Sequence, residues 1–337
     1  MALNEYMKEM RPAIEDQLKK DAEEMLADVP ADLRQTLFYH MGWEGEGAGS
    51  EAQGKRIRPL LVLLCAEAAG GDWKKALPAA AAVEFIHNFS LIHDDIQDHS
   101  PLRRGRPTLW IKMGTALAIN AGDLMFVMGF RSLGGLMQTC GAEKTLEAYQ
   151  VLQKSCTSLT HGQHLDISYE AERSIPMQAY WTMVGGKTAA LLACCAELGA
   201  IIAGAEPTRR QCFHNFAYDM GLAFQAVDDW LGIWGDAALV GKSIESDLVT
   251  GKKTLPVVYA LGQNKKFAQR WLKGPIEVSE LPEMAEMLVR EGAETFTLKK
   301  ADEFTNRSLQ ALKQGVQPGA AAEALEALAS KLLSRQN

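Results

Sequence analysis

Long segments of the chain are built from Ala, Leu, Met, Glu, Gln and Lys, and β-branched residues alternating at a period of two hardly occur. That bias confines the 337 residues to an all-α fold, and a hydrophobic content of 47% is enough for a large buried core. In the opening segment Met7, Met10, Ile14 and Leu18 share one helical face, with charges on the others. Pro59 and Leu60 open a helix that stops at Gly70-Gly71. Pro78 opens another that runs through Phe85, Ile86, Phe89 and Ile92 into an acidic cluster and ends before Pro101. Later breaks are expected at Gly141, Pro176, Gly185-Gly186, Pro207 and Gly235, leaving room for about ten or more helices. Residues 1–41 read as an N-terminal helical segment and 42–53 as a Gly-rich linker, within one domain over 1–337.

The formal charge is −7, from 42 acidic against 35 basic residues, so no global basic field exists to hold a nucleic acid. A local anion pocket of a few Lys and Arg remains open to the chain. The six cysteines include no C-x-x-C pair and read as reduced core residues. Charges run through the N-terminal segment where a signal peptide needs an apolar stretch, so a cytoplasmic location is expected. Thr188 to Ala205 has Glu197 as its one charge, but it is rich in Ala and Gly and reads as a buried bundle helix rather than a membrane span.

Asp94, Asp95 and Asp98 stand at i, i+1 and i+4, so Asp94 and Asp98 stack one turn apart with Asp95 alongside. Three anions on one patch repel unless a cation covers them, and hard carboxylate oxygens suit Mg²⁺. The bland reading is a solvated acidic face, against which stands the apolar run that precedes it. A second pair, Asp228-Asp229, closes another apolar run, with Gln225 one turn before Asp229. Magnesium takes one or two carboxylates plus phosphate oxygens, which points to a diphosphate ligand. The basic complement is Lys55, Arg56 and Arg58 in GKRIRP, Arg103-Arg104 after a Pro turn, Lys187-Thr188 at the start of the Ala-rich helix, and Lys242, Lys252 and Lys253 in a Gly-punctuated loop. His87 precedes Asp94 by two helical turns and so shares its face. His161 and His164 lack a third ligand and do not make a transition-metal site.

Taken in order, GKRIRP, the run from Glu84 to Thr108 with its D-D-x-x-D and R-R-G-x-P-T, G-Q-x-x-D at Gly162 to Asp166, G-K-T, F-Q-x-x-D-D and G-K-x-x-x-x-D-L-x-x-x-K-x-T-L-P resemble the trans-isoprenyl diphosphate synthase (polyprenyl synthetase) family. The resemblance implies a single large helical bundle around a deep central hydrophobic cavity, acting as a homodimer. It also implies head-to-tail condensation of isopentenyl diphosphate with an allylic diphosphate. Asp94, Asp95, Asp98, Asp228 and Asp229 would hold Mg²⁺, about three ions. Arg103, Lys187, Gln225, Lys242 and Lys252, with Gln163 and Thr188, would bind the allylic diphosphate. Lys55, Arg58, His87 and Arg104 would form the isopentenyl diphosphate site. Phe89, five residues before Asp94, would floor the cavity, giving a product of fifteen to twenty-five carbons, with geranylgeranyl diphosphate, at twenty, the expected one. The chain departs from the family pattern at Gly232, where many relatives carry a third acid, and at Ser246, where Gly commonly precedes the Asp. Two rival functions are a terpene cyclase of the same fold and a non-catalytic partner subunit. The intact second diphosphate site opposes the first, and the complete first acidic motif the second.

Overall fold

The computed structural model describes residues 2–235 and 246–334. Lys242, Ile244 and Glu245 lie outside the described residues. Helix follows helix from α1 (Ala2–Met25) to α18 (Ala320–Ser334), and the extended pairing among the described residues is one hairpin, β1 (Leu102–Arg103) with β2 (Arg106–Pro107). The described residues fall into two compact units, one within 1–153, 195–210 and 316–325, the other within 154–194, 211–315 and 326–337.

The core of the first unit is laid down by α4 (Ile57–Ala68) and α5 (Leu77–Gln97). Leu60–Ala66 and Ala79–Ile86 are buried without a break, so these helices are apolar on every side rather than along a stripe. The small side chains Ala79–Ala82 admit the close approach of neighbouring helices, among them α7 (Thr115–Leu133), whose Ala118, Ala121, Met125 and Met128 are buried. Helix α1 docks Leu3, Met10, Ile14, Leu18 and Ala22 on this core; Met7 of the expected stripe is half-buried. Between α2 (Ala31–His40) and α4, the Gly-rich stretch contains one helical turn, α3 (Ser50–Gln53).

The second unit takes the C-terminal part of α9 (Ala142–Glu170), then α10 (Met177–Val184), and the larger part of α12 (Pro207–Trp234). It continues through α13 (Ser246–Val249), α14 (Leu255–Gln263), α15 (Lys266–Trp271), α16 (Leu281–Arg290) and α17 (Ala293–Gly315). Tyr180, Met183, Val184, Leu222, Ala226, Leu255 and Phe304 form one cluster. Gly185-Gly186, expected to break a helix, does not: α10 passes through one π turn, Gly185–Ala189, into α11 (Ala190–Ala203). Two glycines lower helix propensity, yet burial of the flanking apolar residues outweighs about 1 kcal/mol each. Thr115–Cys140 and Met177–Ala203 are long and apolar enough to cross a membrane; 67% of the window of the second is buried inside the protein, as for a core helix, and 44% of that of the first.

Candidate diphosphate and metal sites

In the first unit the chemistry gathers at the end of α5. Asp98 caps the helix, its N–H donating to the Asp94 carbonyl at 2.8 Å, and the two carboxylates sit one turn apart as the spacing requires. Asp98 is exposed and Asp94 half-buried. Asp95 behaves differently. It is 2% exposed and takes Arg103 Nε on both carboxylate oxygens, at 2.9 and 2.8 Å, with Arg103 Nη2 at 2.7 Å from Oδ1. Burial pushes its carboxyl up and Arg103 pulls it back. Asp95, expected among the metal ligands, is therefore engaged as the anchor of the hairpin.

Arg104 (φ 51°) and Gly105 (φ 73°) form the two-residue turn between the strands, the left-handed pair such hairpins need. That turn projects Arg104 toward the segment before α4, where its Nη1 donates to the Ala52 carbonyl at 2.7 Å. Arg58, on the first turn of α4, meets His87 of α5, Nη1 to Nε2, at 3.1 Å. Burial, then Arg58 and Arg104, hold His87 well below the usual imidazole range, so it is neutral and accepts from Arg58. Arg58 Nε is buried without a hydrogen-bond partner, and among the described residues neither Arg58 nor Arg104 has a carboxylate at ion-pair distance. Lys55 is exposed beside them, its carbonyl held by Arg11.

The middle residue of GKRIRP has another task. Arg56, 4% exposed, donates from Nε to Glu15 at 2.6 Å and from Nη1 to Glu84 at 2.8 Å, tying α1, α4 and α5 together. Sequence reading also passed over His40, the last residue of α2. Burial, then Arg103, Arg104 and Arg56, push it down to about 3, a second neutral imidazole at this cation cluster.

The second unit places Lys187 in the π turn, its ammonium paired with Asp166 of α9. Single π turns widen a helix locally and often mark functional sites. The turn lies hard against α9: a Cβ on Gly162 would stand 2.1 Å from the Lys187 nitrogen and 2.6 Å from the Gly186 carbonyl carbon. Backbone on both sides leaves nothing able to yield, so Gly162→Ala is expected to lower stability by about 3 kcal/mol and to disrupt the Lys187–Asp166 pair. Urea denaturation checks this; a loss under 0.5 kcal/mol, on the surface-substitution scale, contradicts it.

Asp228 is half-buried, whereas Asp229 is 5% exposed and fully engaged. Tyr180 Oη and the Leu255 N–H both donate to its Oδ2 at 2.6 Å, and Gln225 Nε2 donates to Oδ1 at 2.8 Å. Burial pushes its carboxyl up to about 7 despite these donors. Gln225 also accepts from Thr188 Oγ1 at 3.0 Å, so the expected ligand residues Gln225, Thr188 and Asp229 form a chain of positioning contacts leading to Tyr180. Gly232 leaves room that Asp247 takes: its Oδ2 lies 2.6 Å from where a Cβ would be. A carboxylate distant in sequence thus stands beside the position of the third acid. Lys252 is half-buried, and the Lys253 ammonium, its neighbour, reaches the Glu170 carbonyl at 2.9 Å. Gln163 is half-buried on α9 next to Gly162. No group of three or more His, Cys, Asp or Glu among the described residues converges as a metal cage. The donor set that remains at Asp94 and Asp98, two carboxylates one turn apart, suits Mg²⁺ held partly by phosphate oxygens.

Residues 48–288 match the polyprenyl synthetase family. The chain is 43% identical over 234 residues to a geranylgeranyl diphosphate synthase of Mycobacterium tuberculosis, covering 68% of this chain and 65%, just under two thirds, of that protein. It is 35% identical over 314 residues to a (2E,6E)-farnesyl diphosphate synthase of the same species, covering 90% and 86%. Among solved structures, a polyprenyl synthetase from Streptomyces coelicolor superimposes with a TM-score of 0.87 at 32% identity, over 98% of this chain and 99% of that one. A polyprenyl synthase from Caulobacter crescentus, complexed with calcium and isoprenyl diphosphate, gives 0.84 at 26% identity over 99% and 98%. With the family match running over most of its length and its helices superimposing on those of a solved member almost from end to end, the chain belongs to the polyprenyl synthetase family, trans-prenyltransferases of the all-α isoprenoid synthase fold.

Proposed function

We propose that the protein is a magnesium-dependent synthase that joins isopentenyl diphosphate to an allylic diphosphate head to tail, yielding a prenyl diphosphate of fifteen to twenty-five carbons, with twenty the length assigned. The observation that carries this reading is the cation cluster of the first unit. Among the described residues Arg58 and Arg104 have no carboxylate at ion-pair distance, Arg58 keeps a buried orphan donor, and His87 is neutral beside them. Cationic charge without a direct ion-pair partner at a partly buried site is costly, and an incoming diphosphate offsets that cost. A cyclase that ionises one allylic diphosphate has no need of this second site, and a non-catalytic subunit has no need of Asp94 and Asp98.

Asp94 and Asp98 are the proposed metal ligands of the first unit and Asp228 that of the second; the calcium in the Caulobacter relative supports a divalent ion. Magnesium, when bound, offsets the charge that grows on the leaving diphosphate. Arg103, oriented by Asp95, supplies fixed positive charge for the allylic diphosphate; in the second unit, taken by itself, Lys187 is oriented by Asp166. Its C–O bond breaks with the electron pair leaving on oxygen. Isopentenyl diphosphate, held through its diphosphate by Lys55, Arg58, His87 and Arg104, attacks the allylic carbon with its double bond, and the departed diphosphate accepts the proton finally lost. Six free cysteines, four of them buried, support a reducing, cytoplasmic setting. The family resemblance supports a homodimer.

Phe89 stands edge-on to Phe126 with ring centroids 4.9 Å apart, and Phe126 to Phe130 at 5.1 Å. These rings form the proposed floor for the growing chain. Incubation with Mg²⁺, isopentenyl diphosphate and dimethylallyl, geranyl or farnesyl diphosphate, followed by chromatography, tests the activity. Phe89→Ala is expected to lengthen the longest product by one or two five-carbon units, and adding Phe126→Ala to lengthen it further. An unchanged product distribution in both variants removes Phe89 as the floor, and cyclic hydrocarbon from the allylic substrate alone overturns the synthase.

A further inference from the structure

The stretch between α2 and α4 does not behave as a free spacer. Arg106 of β2, 8% exposed, threads into it and donates to three carbonyls: from Nη1 to Tyr39 at 2.7 Å, from Nη2 to Glu44 at 2.9 Å and from Nε to Glu46 at 2.9 Å. Its guanidinium also lies 3.8 Å from the Tyr39 ring centroid. Farther along, the stretch folds back on itself: the Gly49 N–H donates to Gly42 at 3.1 Å, and a Cβ on Gly42 would stand 2.6 Å from the Ala52 carbonyl carbon. The Ala52 carbonyl is the one that receives Arg104. One hairpin thus grips the segment at residues 39–46 through Arg106 and leans on its far end through Arg104.

We propose that Arg106 is a positioning residue for the isopentenyl diphosphate site: by gathering the carbonyls of Tyr39, Glu44 and Glu46 it holds the glycine-rich segment in one conformation, and so fixes the carbonyl on which Arg104 rests. The inference depends on the reading that Arg104 binds that diphosphate. Only a planar fork can meet three diverging carbonyls from one buried cation; a lysine carries the charge as a point and leaves acceptors unmet. Glycine-rich backbone has the most conformational freedom to regain when released. Without the clamp, the order of Arg104 must be established on binding, which raises KM for the substrate it holds. The hairpin's allylic-site residue, Arg103, is held by Asp95 instead of by this contact.

The test is steady-state kinetics of R106A, R106K and R104Q, with each substrate varied in turn. Expected for R106A is a roughly tenfold rise in KM for isopentenyl diphosphate, with KM for the allylic substrate and kcat within about twofold. Millimolar methylguanidinium is expected to restore the KM of R106A and to leave that of the wild type unchanged. R106K, which keeps stem and charge, is expected to show the same split if R106A folds poorly. An unchanged KM in R106K or R106A, while R104Q raises it, overturns the proposal and leaves the diphosphate site standing. Unchanged KM in R104Q overturns the site assignment itself. Equal loss on both substrates with no rescue means that Arg106 is merely structural, and the proposal falls.

Discussion

Asp98→Ala is expected to lower turnover by about three orders of magnitude while leaving the melting temperature within about 2 °C of the wild type. The two halves of this result have separate causes. Asp98 is exposed at the end of α5, its backbone rather than its carboxylate makes the capping bond, and Asp94 one turn away repels it. Removing one of two like charges at this spacing relieves a few tenths of a kcal/mol, so the fold has nothing to lose. Catalysis does have something to lose, because a carboxylate that holds the ion on the leaving diphosphate contributes where charge grows, and a thousandfold corresponds to about 4 kcal/mol. Asp94→Ala is expected to lower turnover alike. The check is labelled isopentenyl diphosphate incorporation across a range of Mg²⁺ together with thermal melts. Full turnover in both variants sinks the metal assignment.

Arg56→Met is expected to do the reverse, taking about 3–5 kcal/mol from stability. Glu84 is 2% exposed, and with Arg56 gone the side-chain hydrogen bond left to it among the described residues is that of the Asn88 amide, at 2.9 Å, while Glu15 loses its guanidinium and keeps the Trp43 indole N–H. An unpaired buried carboxylate is far costlier than a buried pair removed together. Arg56→Met with Glu84→Gln is therefore expected to recover at least 1 kcal/mol of the loss. Urea denaturation of the single and double variants measures both. A loss below 1 kcal/mol in the single variant, or strict additivity in the double, removes Arg56 as the bolt between α1, α4 and α5.

The contrast between Asp98 and Arg56 shows what was legible in advance. Asp94 and Asp98 were assigned to one helical face, and His87 to the same side two turns earlier, because helix geometry dictates those relations locally. Pro78 near the start of α5 and the apolar run of α4 were legible for the same reason. Residue type and spacing place Arg56 with Lys55 and Arg58 in one basic cluster, but its left-handed backbone (φ 50°) turns it inward to Glu15 and Glu84. Gly185-Gly186 pointed to a break, because a sequence shows the propensity of two glycines and not the packing of α9 against them.

The sequence by itself determined the all-α class, the helical placement of the Asp94–Asp98 pair and the family, since each depends on residue type and on spacings that one helix or one motif defines. Tertiary structure alone decided that Asp95 serves Arg103, that Asp229 is bound by Tyr180 and Leu255, that Asp247 stands beside Gly232, and that Arg106 gathers three carbonyls. The reason is physical: a buried polar group must find its partners wherever packing brings them, and these partners are joined by chain contacts of long separation or by backbone carbonyls, which no residue pattern records.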